Sequence, residues 1–102
     1  MTAVPKRKPI RDSAHLDKIR AMPCCICNAP PPSEACHLRM GLAGGMAQKP
    51  PDDLTVPMCS YHHREQHEMG EAIFWRMWLA ADKEILVKVL RSFARSLYGG
   101  GT

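Results

Sequence analysis

The sequence predicts a small α+β fold, in which a loop-rich core with two short strands is stapled by bound metal and is followed by C-terminal helices. Three observations lead to this prediction. The 102 residues suffice for one domain, which at this size buries only a modest fraction of its surface. Prolines and glycines crowd the segment 24–57, and helical spacing of apolar residues dominates only after it. Five cysteines and five histidines supply ligands for a staple.

The N-terminal residues 1–12 are rich in proline, lysine and arginine, and we expect a flexible basic arm there. Residues 1–20 carry six Lys or Arg against two Asp, so the basic charge is concentrated at this end. A single domain is predicted over 13–98. It begins with a short helix that Ser13 caps and Pro23 ends.

The metal-bound core of the domain is predicted at residues 23–69. Its loops contain APPPSE, GLAGGM and KPPDD, which interrupt regular structure, so we predict only two short strands, at 35–38 and 54–58. A polar helix, YHHREQHEM, follows them. Because loops alone do not offset the conformational entropy of folding, a bound metal is expected to hold this part together.

The C-terminal residues 71–98 are predicted to form two supporting helices, EAIFWRMWLAA and DKEILVKVLRSFARSLY. An apolar row recurs every four residues in the second helix, which indicates a buried face. We place these side chains and the aromatic ones of the first helix in the core, in preference to a cofactor or partner role: Phe74, Trp75, Trp78, Ile85, Leu86, Val89, Leu90, Phe93 and Leu97. Residues 99–102 are a predicted flexible tail.

Composition and segment patterns point to a cytoplasmic location. The chain is 45% hydrophobic and 24% charged, as ordinary soluble proteins are. No apolar run approaches the roughly 20 residues of a membrane span, and the N-terminus shows no secretory signal, so no membrane partner is expected. Without an export signal, an odd number of cysteines favours metal ligation over a disulfide framework.

Two pairs of ligand-type residues share one spacing. Cys24 and Cys27 are separated by two residues, and so are Cys59 and His62. This spacer lets both side chains of a pair reach one tetrahedral ion, so a structural Zn²⁺ with three cysteines and one histidine is predicted. The alternative, buried free thiols and a surface histidine, explains poorly why two such pairs flank a Pro/Gly-rich loop. Cys25 is left over and is expected to pack.

Further histidines lie beside and upstream of the second pair. His63 and His67 are one helical turn apart, so both imidazoles share a helix face and can bind a second ion. The alternative is a pair of exposed histidines on a polar helix. His37, on the first predicted strand, favours the metal site because it adds a third histidine.

Together these features resemble the HNH, or ββα-metal, nuclease superfamily. The segments PCCICNAPPPSEACHLRMG and KPPDDLTVPMCSYHHREQH have a strand histidine, a loop and a helix with metal-binding histidines in the family's order. Cysteine-rich members tie this motif together with a zinc outside the active site. The resemblance covers about residues 24–67 and looks especially like compact phage and prophage nucleases, including the recombination-associated Ref type. It implies that residues 23–69 form the ββα-metal core of an HNH-like domain.

The resemblance also implies roles for single residues. His37 would be the general base, and His63 and His67 would hold a catalytic Mg²⁺ or Mn²⁺, with Zn²⁺ or Ni²⁺ as alternatives on imidazoles. Cys36 stands where the family commonly has a metal-binding Asp or His, so it is a further candidate ligand. Asp53 lies near the position of the Asn that orients the base in the family.

The function implied is that of a metal-dependent DNA endonuclease that hydrolyses phosphodiester bonds. Basic side chains would contact phosphates with little sequence specificity; the candidates are Arg39 and the arm residues Lys6, Arg7, Lys8 and Arg11. DNA is the expected partner, and recombination or phage packaging proteins are further candidates.

Two other functions fit the same residues. The first is a catalytically impaired, zinc-stapled nucleic-acid-binding module, with Cys36 as the sign of lost catalysis. The second is an enzyme that uses Cys25 or Cys36 as a nucleophile beside a histidine.

Overall fold

The computed structural model describes residues 10–39 and 50–99 of the chain. It confirms a small α+β fold, with four helices and a two-stranded antiparallel sheet in the described part. The elements are α1 (Ser13–Arg20), β1 (Glu34–His37), β2 (Thr55–Met58), α2 (Ser60–Met69), α3 (Glu71–Leu79) and α4 (Lys83–Gly99). None of the helices in these two ranges combines the length and the apolar composition that a membrane span needs.

Helix α1 is capped by Asp12 and not by the predicted Ser13. The Asp12 carboxylate accepts a hydrogen bond of 3.0 Å from the backbone N–H of His15, which would otherwise have no partner inside the helix. Both residues are good caps, so the sequence alone does not separate them. The cap is decided by the chain before the helix, which is held in place by contacts with Asp52.

Residues 10–12, which we predicted to be part of a flexible arm, are attached to the domain. The backbone N–H of Asp52 donates to the Ile10 carbonyl at 2.9 Å, and the Asp52 carboxylate accepts from the Asp12 N–H at 2.8 Å. The Arg11 guanidinium donates to the Pro50 carbonyl at 2.7 Å. Arg11 therefore belongs to the folded domain; the other predicted arm cations, Lys6, Arg7 and Lys8, lie outside the described residues, as do residues 100–102.

The sheet is short, and the core is built around its second strand. Glu34 lies opposite Met58 and His37 opposite Thr55, so β1 is one residue earlier than predicted and β2 begins one residue later. All four β2 residues are buried. Most of the remaining core comes from α3, α4 and the chain beside the strands, and it includes Leu38, Leu54, Phe74, Trp75, Leu86, Leu90 and Ala94.

The predicted core face of α4 is only partly correct. The buried row of this helix is Leu86, Leu90 and Ala94, whereas Ile85, Val89 and Phe93 are 51%, 47% and 37% exposed. Both rows recur every four residues. The row that ends in the large Phe93 looks more apolar in the sequence than the row that ends in the small Ala94, although the latter row is the buried one. Trp78 was also predicted to be in the core and is 45% exposed; its ring lies 5.7 Å from that of His62, in an edge-to-face contact.

Replacing neighbouring apolar residues of α4 tests this assignment. Leu86→Ala should lower the free energy of unfolding by about 2 to 5 kcal/mol, because it leaves a cavity in the core. Ile85→Ala should cost about 1 kcal/mol or less, because half of that side chain is already in water. Urea unfolding of the two metal-loaded variants, followed by circular dichroism, measures both values, and equal losses would contradict the assignment.

Candidate metal centre and histidine clusters

Cys24, Cys27, Cys59 and His62 meet at one point. Each offers a ligand atom, and the four atoms all lie within 4.8 Å of one another. The Cys27 and Cys59 sulfurs are 3.9 Å apart, and His62 Nδ1 is 3.2 Å from the Cys59 sulfur and 4.0 Å from that of Cys24. Ligands at about 2.3 Å (sulfur) and about 2.0 Å (nitrogen) around a tetrahedral ion would be separated by about 3.5 to 3.8 Å. The four side chains therefore fit a single tetrahedral metal ion.

Local backbone structure brings the two ligand pairs together. The Cys24 carbonyl accepts from the backbone N–H of Asn28, whose positive φ of 61° is one that asparagine tolerates, so the first pair sits on a tight turn. The Cys25 N–H donates to the Pro57 carbonyl at 2.9 Å, which joins this turn to β2. The second pair lies at the start of α2, because Cys59 is the residue before the helix and His62 is in its first turn.

The electrostatics of Cys24 suit metal binding. Burial alone would raise its pKa, but hydrogen bonds from the backbone amides of Cys59, Cys27 and Ile26 lower the pKa to about 6. The thiolate, which is the form that binds metals, is therefore favoured near neutral pH even before an ion arrives.

Cys25 and Cys36 lie outside this cluster. The Cys36 thiol is buried in the core and donates to Gln66 Oε1 at 3.1 Å, so the structure places this candidate ligand against an amide of α2. Burial raises the pKa of Cys36 to about 12, and burial also raises that of Cys25 to about 12. Neither thiol has the thiolate character that a nucleophile needs, which argues against the cysteine-enzyme hypothesis.

His63 and His67 form a second cluster, on α2. Their Nε2 atoms are 3.2 Å apart, as the spacing of one helical turn predicts. Nδ1 of His63 lies 2.6 Å from the carboxylate of Glu34, on β1. Sequence reasoning missed Glu34, although alternation along a strand puts it on the same sheet face as Cys36, which also contacts α2.

His37 forms a third cluster with Asp52. Nε2 of His37 is 2.9 Å from Asp52 Oδ1, and the guanidinium of Arg11 is 3.6 Å from the same oxygen. Burial alone would raise the Asp52 pKa, but the hydrogen bonds from His37 and the Asp12 amide, with the charges of His37 and Arg11, lower it. The carboxylate beside His37 is thus that of Asp52, instead of the predicted Asp53.

Asp53 lies one residue further along, and the structure shows no hydrogen bond between it and His37. Its Oδ1 atom is buried and has no hydrogen-bond partner among the described residues. The adjacent acidic pair was visible in the sequence, but which member faces the strand histidine depends on the turn at residues 52–54. This turn is closed by the Thr55 hydroxyl, which donates to the Asp52 carbonyl at 2.9 Å.

The second and third clusters are separate. Within residues 10–39 and 50–99, no hydrogen bond or ring contact joins His37 to His63 or His67. Because successive strand side chains point to opposite faces, Glu34 and Cys36 face α2 while His37 faces away from it. The predicted phosphate contact Arg39 follows β1; it is exposed, and its backbone N–H donates to the Glu71 carboxylate at 2.8 Å.

Comparison with known proteins gave one family match. A family model described as "Protein of unknown function (DUF968)" matches residues 1–92, a stretch that contains the four-residue metal cluster and both histidine clusters. The searches of curated proteins and of solved structures gave no match.

Replacing each of the two neighbouring aspartates by alanine tests which carboxylate contacts His37. Asp52→Ala should lower the free energy of unfolding by about 1 to 3 kcal/mol at neutral pH, because it leaves the partly buried Asp12 N–H and the His37 ring without their acceptor. Asp53→Ala should cost clearly less, since its buried oxygen has no partner to lose. Denaturant unfolding of the matched pair measures the difference, and a larger loss in Asp53→Ala would contradict the structure.

Proposed function

The chain belongs to the family described as protein of unknown function (DUF968), and we propose that it is a zinc-stapled, metal-dependent DNA endonuclease of the HNH type. The observation that carries the proposal is the pair of α2 histidines. Their Nε2 atoms are 3.2 Å apart, and a strand carboxylate fixes one ring. This pair lies on the helix that directly follows a two-stranded hairpin, with the cysteine cluster beside it, which is the element order that the HNH resemblance implies.

The first part of the proposal is that the cysteine cluster holds a structural Zn²⁺. Its donor set of three sulfurs and one nitrogen is typical of structural zinc sites, which are closed to substrate. The cluster joins a loop to the start of α2, and the described sheet has only two four-residue strands. Metal binding therefore supplies folding free energy that so small a sheet cannot supply.

The second part concerns proton transfer by His37. The Asp52 carboxylate engages Nε2, so Nδ1 is the nitrogen that can take the proton of an attacking water. The ionised Asp52 also stabilises the imidazolium that forms, as an orienting carboxylate does in other hydrolytic sites. His37 is the last residue of β1 and its side chain is 25% exposed, so water can reach it.

The third part concerns His63 and His67, which would hold a divalent cation through Nε2. Such a cation, when bound, neutralises charge on the scissile phosphate and stabilises the leaving oxygen. Two protein ligands leave open positions for phosphate and water. Mg²⁺ or Mn²⁺ suits the phosphate chemistry, whereas the imidazole ligands also suit Zn²⁺ or Ni²⁺.

DNA is the proposed substrate, and backbone contacts would hold it. Arg39 is exposed beside the end of β1, and the cations Lys6, Arg7 and Lys8 precede the attached residues 10–12. Contacts of this kind position a duplex without reading its sequence, and they make binding weaker at high salt. Recombination or phage packaging proteins remain the proposed partners, and the cytoplasm the proposed location.

A second candidate function is a nucleic-acid-binding module without catalysis. The separation of His37 from the α2 histidines favours it, because base and cation must act on one phosphate. The burial of Cys36 favours it too, since the position next to the base then contributes no metal ligand.

Metal content tests the structural site. We expect one tightly held zinc per chain after dialysis, and we expect Cys59→Ser to lose it together with most of the folded structure, because binding free energy is folding free energy here. Cys25→Ser is the matched control and should keep both, since its thiol is outside the cluster. Elemental analysis and thermal melting measure this, and retention of zinc by Cys59→Ser would refute the ligand set.

Cleavage of plasmid DNA tests the activity. The wild-type protein with Mg²⁺ or Mn²⁺ should cut DNA, and His37→Ala should lose at least about 100-fold in rate, the lower end of what general-base catalysis contributes. His63→Ala and His67→Ala should also lose most of the cleavage, because each removes a ligand of the proposed cation. Glu68→Ala, an exposed change on the same helix, should cut at the wild-type rate. All variants should keep the zinc.

The same preparations separate the two candidate functions. Salt-dependent DNA binding without cleavage in the zinc-loaded wild type would establish the binding module and reject the nuclease. If neither binding nor cleavage occurs, DNA is not the ligand and both proposals fail.

A further inference from the structure

We infer that Glu34 is the positioning residue of the α2 metal centre: its carboxylate fixes the ring and the tautomer of His63, so that the Nε2 lone pair of His63 converges with that of His67. This inference rests on the proposed function, because it concerns the cation that His63 and His67 would hold. It adds a residue that spacing and family resemblance did not assign.

The contact between Glu34 and His63 is short. Glu34 Oε1 and His63 Nδ1 are 2.6 Å apart, a separation typical of hydrogen bonds with a charged partner. The two residues come from different elements and are 29 positions apart in the sequence, so the fold and not the local sequence brings them together. The His63 side chain is 20% exposed, and the Glu34 side chain is 52% exposed.

The carboxylate decides which nitrogen of His63 carries the proton. An ionised carboxylate only accepts hydrogen bonds, and a neutral imidazole has one N–H. In the neutral form of His63 this contact therefore places the proton on Nδ1 and the lone pair on Nε2. That lone pair points to the Nε2 atom of His67 at 3.2 Å. Two nitrogens at this separation, each about 2.0 to 2.1 Å from an ion, subtend an angle of about 100°, which both tetrahedral and octahedral ions accept.

The rival explanation is a surface ion pair. In that case His63 would be doubly protonated, Glu34 would neutralise it, and Nε2–H would donate to His67. Such exposed pairs contribute little to stability, and a protonated imidazole binds no cation. The two explanations therefore differ in the protonation state of His63 and in metal affinity.

A carboxylate in this position is expected to strengthen metal binding. It holds the ring in the binding orientation and raises the basicity of the coordinating nitrogen, and removal of such partners typically costs 10- to 100-fold in metal affinity. The acceptor oxygen and its negative charge should each contribute to this effect. Glu34→Gln keeps an acceptor and loses the charge, whereas Glu34→Ala loses both.

The test is a Mn²⁺ titration of the zinc-loaded full chain at neutral pH, followed by the loss of the free-Mn²⁺ electron paramagnetic resonance signal. Glu34→Ala should bind Mn²⁺ about 10- to 100-fold more weakly than wild type, and Glu34→Gln should fall between them. Glu68→Gln, an acidic change elsewhere on α2, is the matched control and should bind as wild type does. Zinc content and melting temperature should be unchanged in all four proteins.

Nitrogen NMR of the histidine rings gives a second readout that does not depend on activity. Without Mn²⁺, the neutral form of His63 in the wild type should be protonated at Nδ1, and in Glu34→Ala this tautomer preference should be lost. A doubly protonated His63 at neutral pH would establish the ion pair and overturn the inference.

Failure of this inference is distinguishable from failure of the proposed metal centre. If His63→Ala abolishes Mn²⁺ binding but Glu34→Ala does not weaken it, the centre exists and Glu34 has no positioning role. If the wild type binds no Mn²⁺, the centre itself is absent, and both the inference and the proposed cation site are wrong.

Discussion

The rest of the structure depends on the convergence of four ligand atoms from a loop and a helix end. The sheet of the described chain has two strands of four residues, too little to hold a loop-rich segment by hydrogen bonds alone. The cluster joins the turn at Cys24 to the start of α2, and thereby fixes the rotation of α2 about its axis. Consecutive helix residues point about 100° apart, so once His62 faces the cluster, His63 must face elsewhere. The structure shows that it faces Glu34 of β1.

Helix α2 is therefore held at three points, which lie within about 100° of its circumference. His62 belongs to the four-residue candidate metal cluster, and Gln66 accepts a hydrogen bond from the buried Cys36 thiol. His63 contacts the Glu34 carboxylate of β1. Because His62 and His63 point about 100° apart, α2 cannot rotate to improve one of these contacts without weakening the other. This gives a physical reason why the His63–His67 pair has one defined geometry despite its exposed position, and such preorganisation is what a cation site requires.

Parts of this arrangement could be predicted from the sequence because they depend on local spacing. Two-residue spacers identified the cluster ligands, and one helical turn identified the histidine pair. Long-range contacts could not be predicted in this way. Asp52 rather than Asp53 contacts His37 because of how the turn at residues 52–54 closes. Asp12 rather than Ser13 caps α1 because Asp52 accepts a hydrogen bond from the backbone N–H of Asp12. Likewise, two apolar rows of α4 have the same period, and only packing shows that the row of Leu86 is buried and that of Ile85 is not.

The His37–Asp52 pair bears on the choice between the two candidate functions. A module that only binds nucleic acid needs cations near the phosphates, and an ionised carboxylate beside them weakens that attraction. The fold nevertheless keeps Asp52 almost fully buried and ionised, with a lowered pKa, and one of its oxygens contacts the partly exposed His37 at the end of β1. Arg11 lies 3.6 Å from the same oxygen and offsets part of its charge. The other ring nitrogen of His37 has no hydrogen-bond partner among the described residues, and an imidazole oriented in this way suits proton transfer better than binding alone. The pair therefore supports the proposed nuclease over the binding module. His37 and the α2 histidines lie on opposite faces of β1. A nuclease of this kind would therefore need a substrate that passes around the end of β1, where His37 is the last strand residue, to contact both histidine clusters.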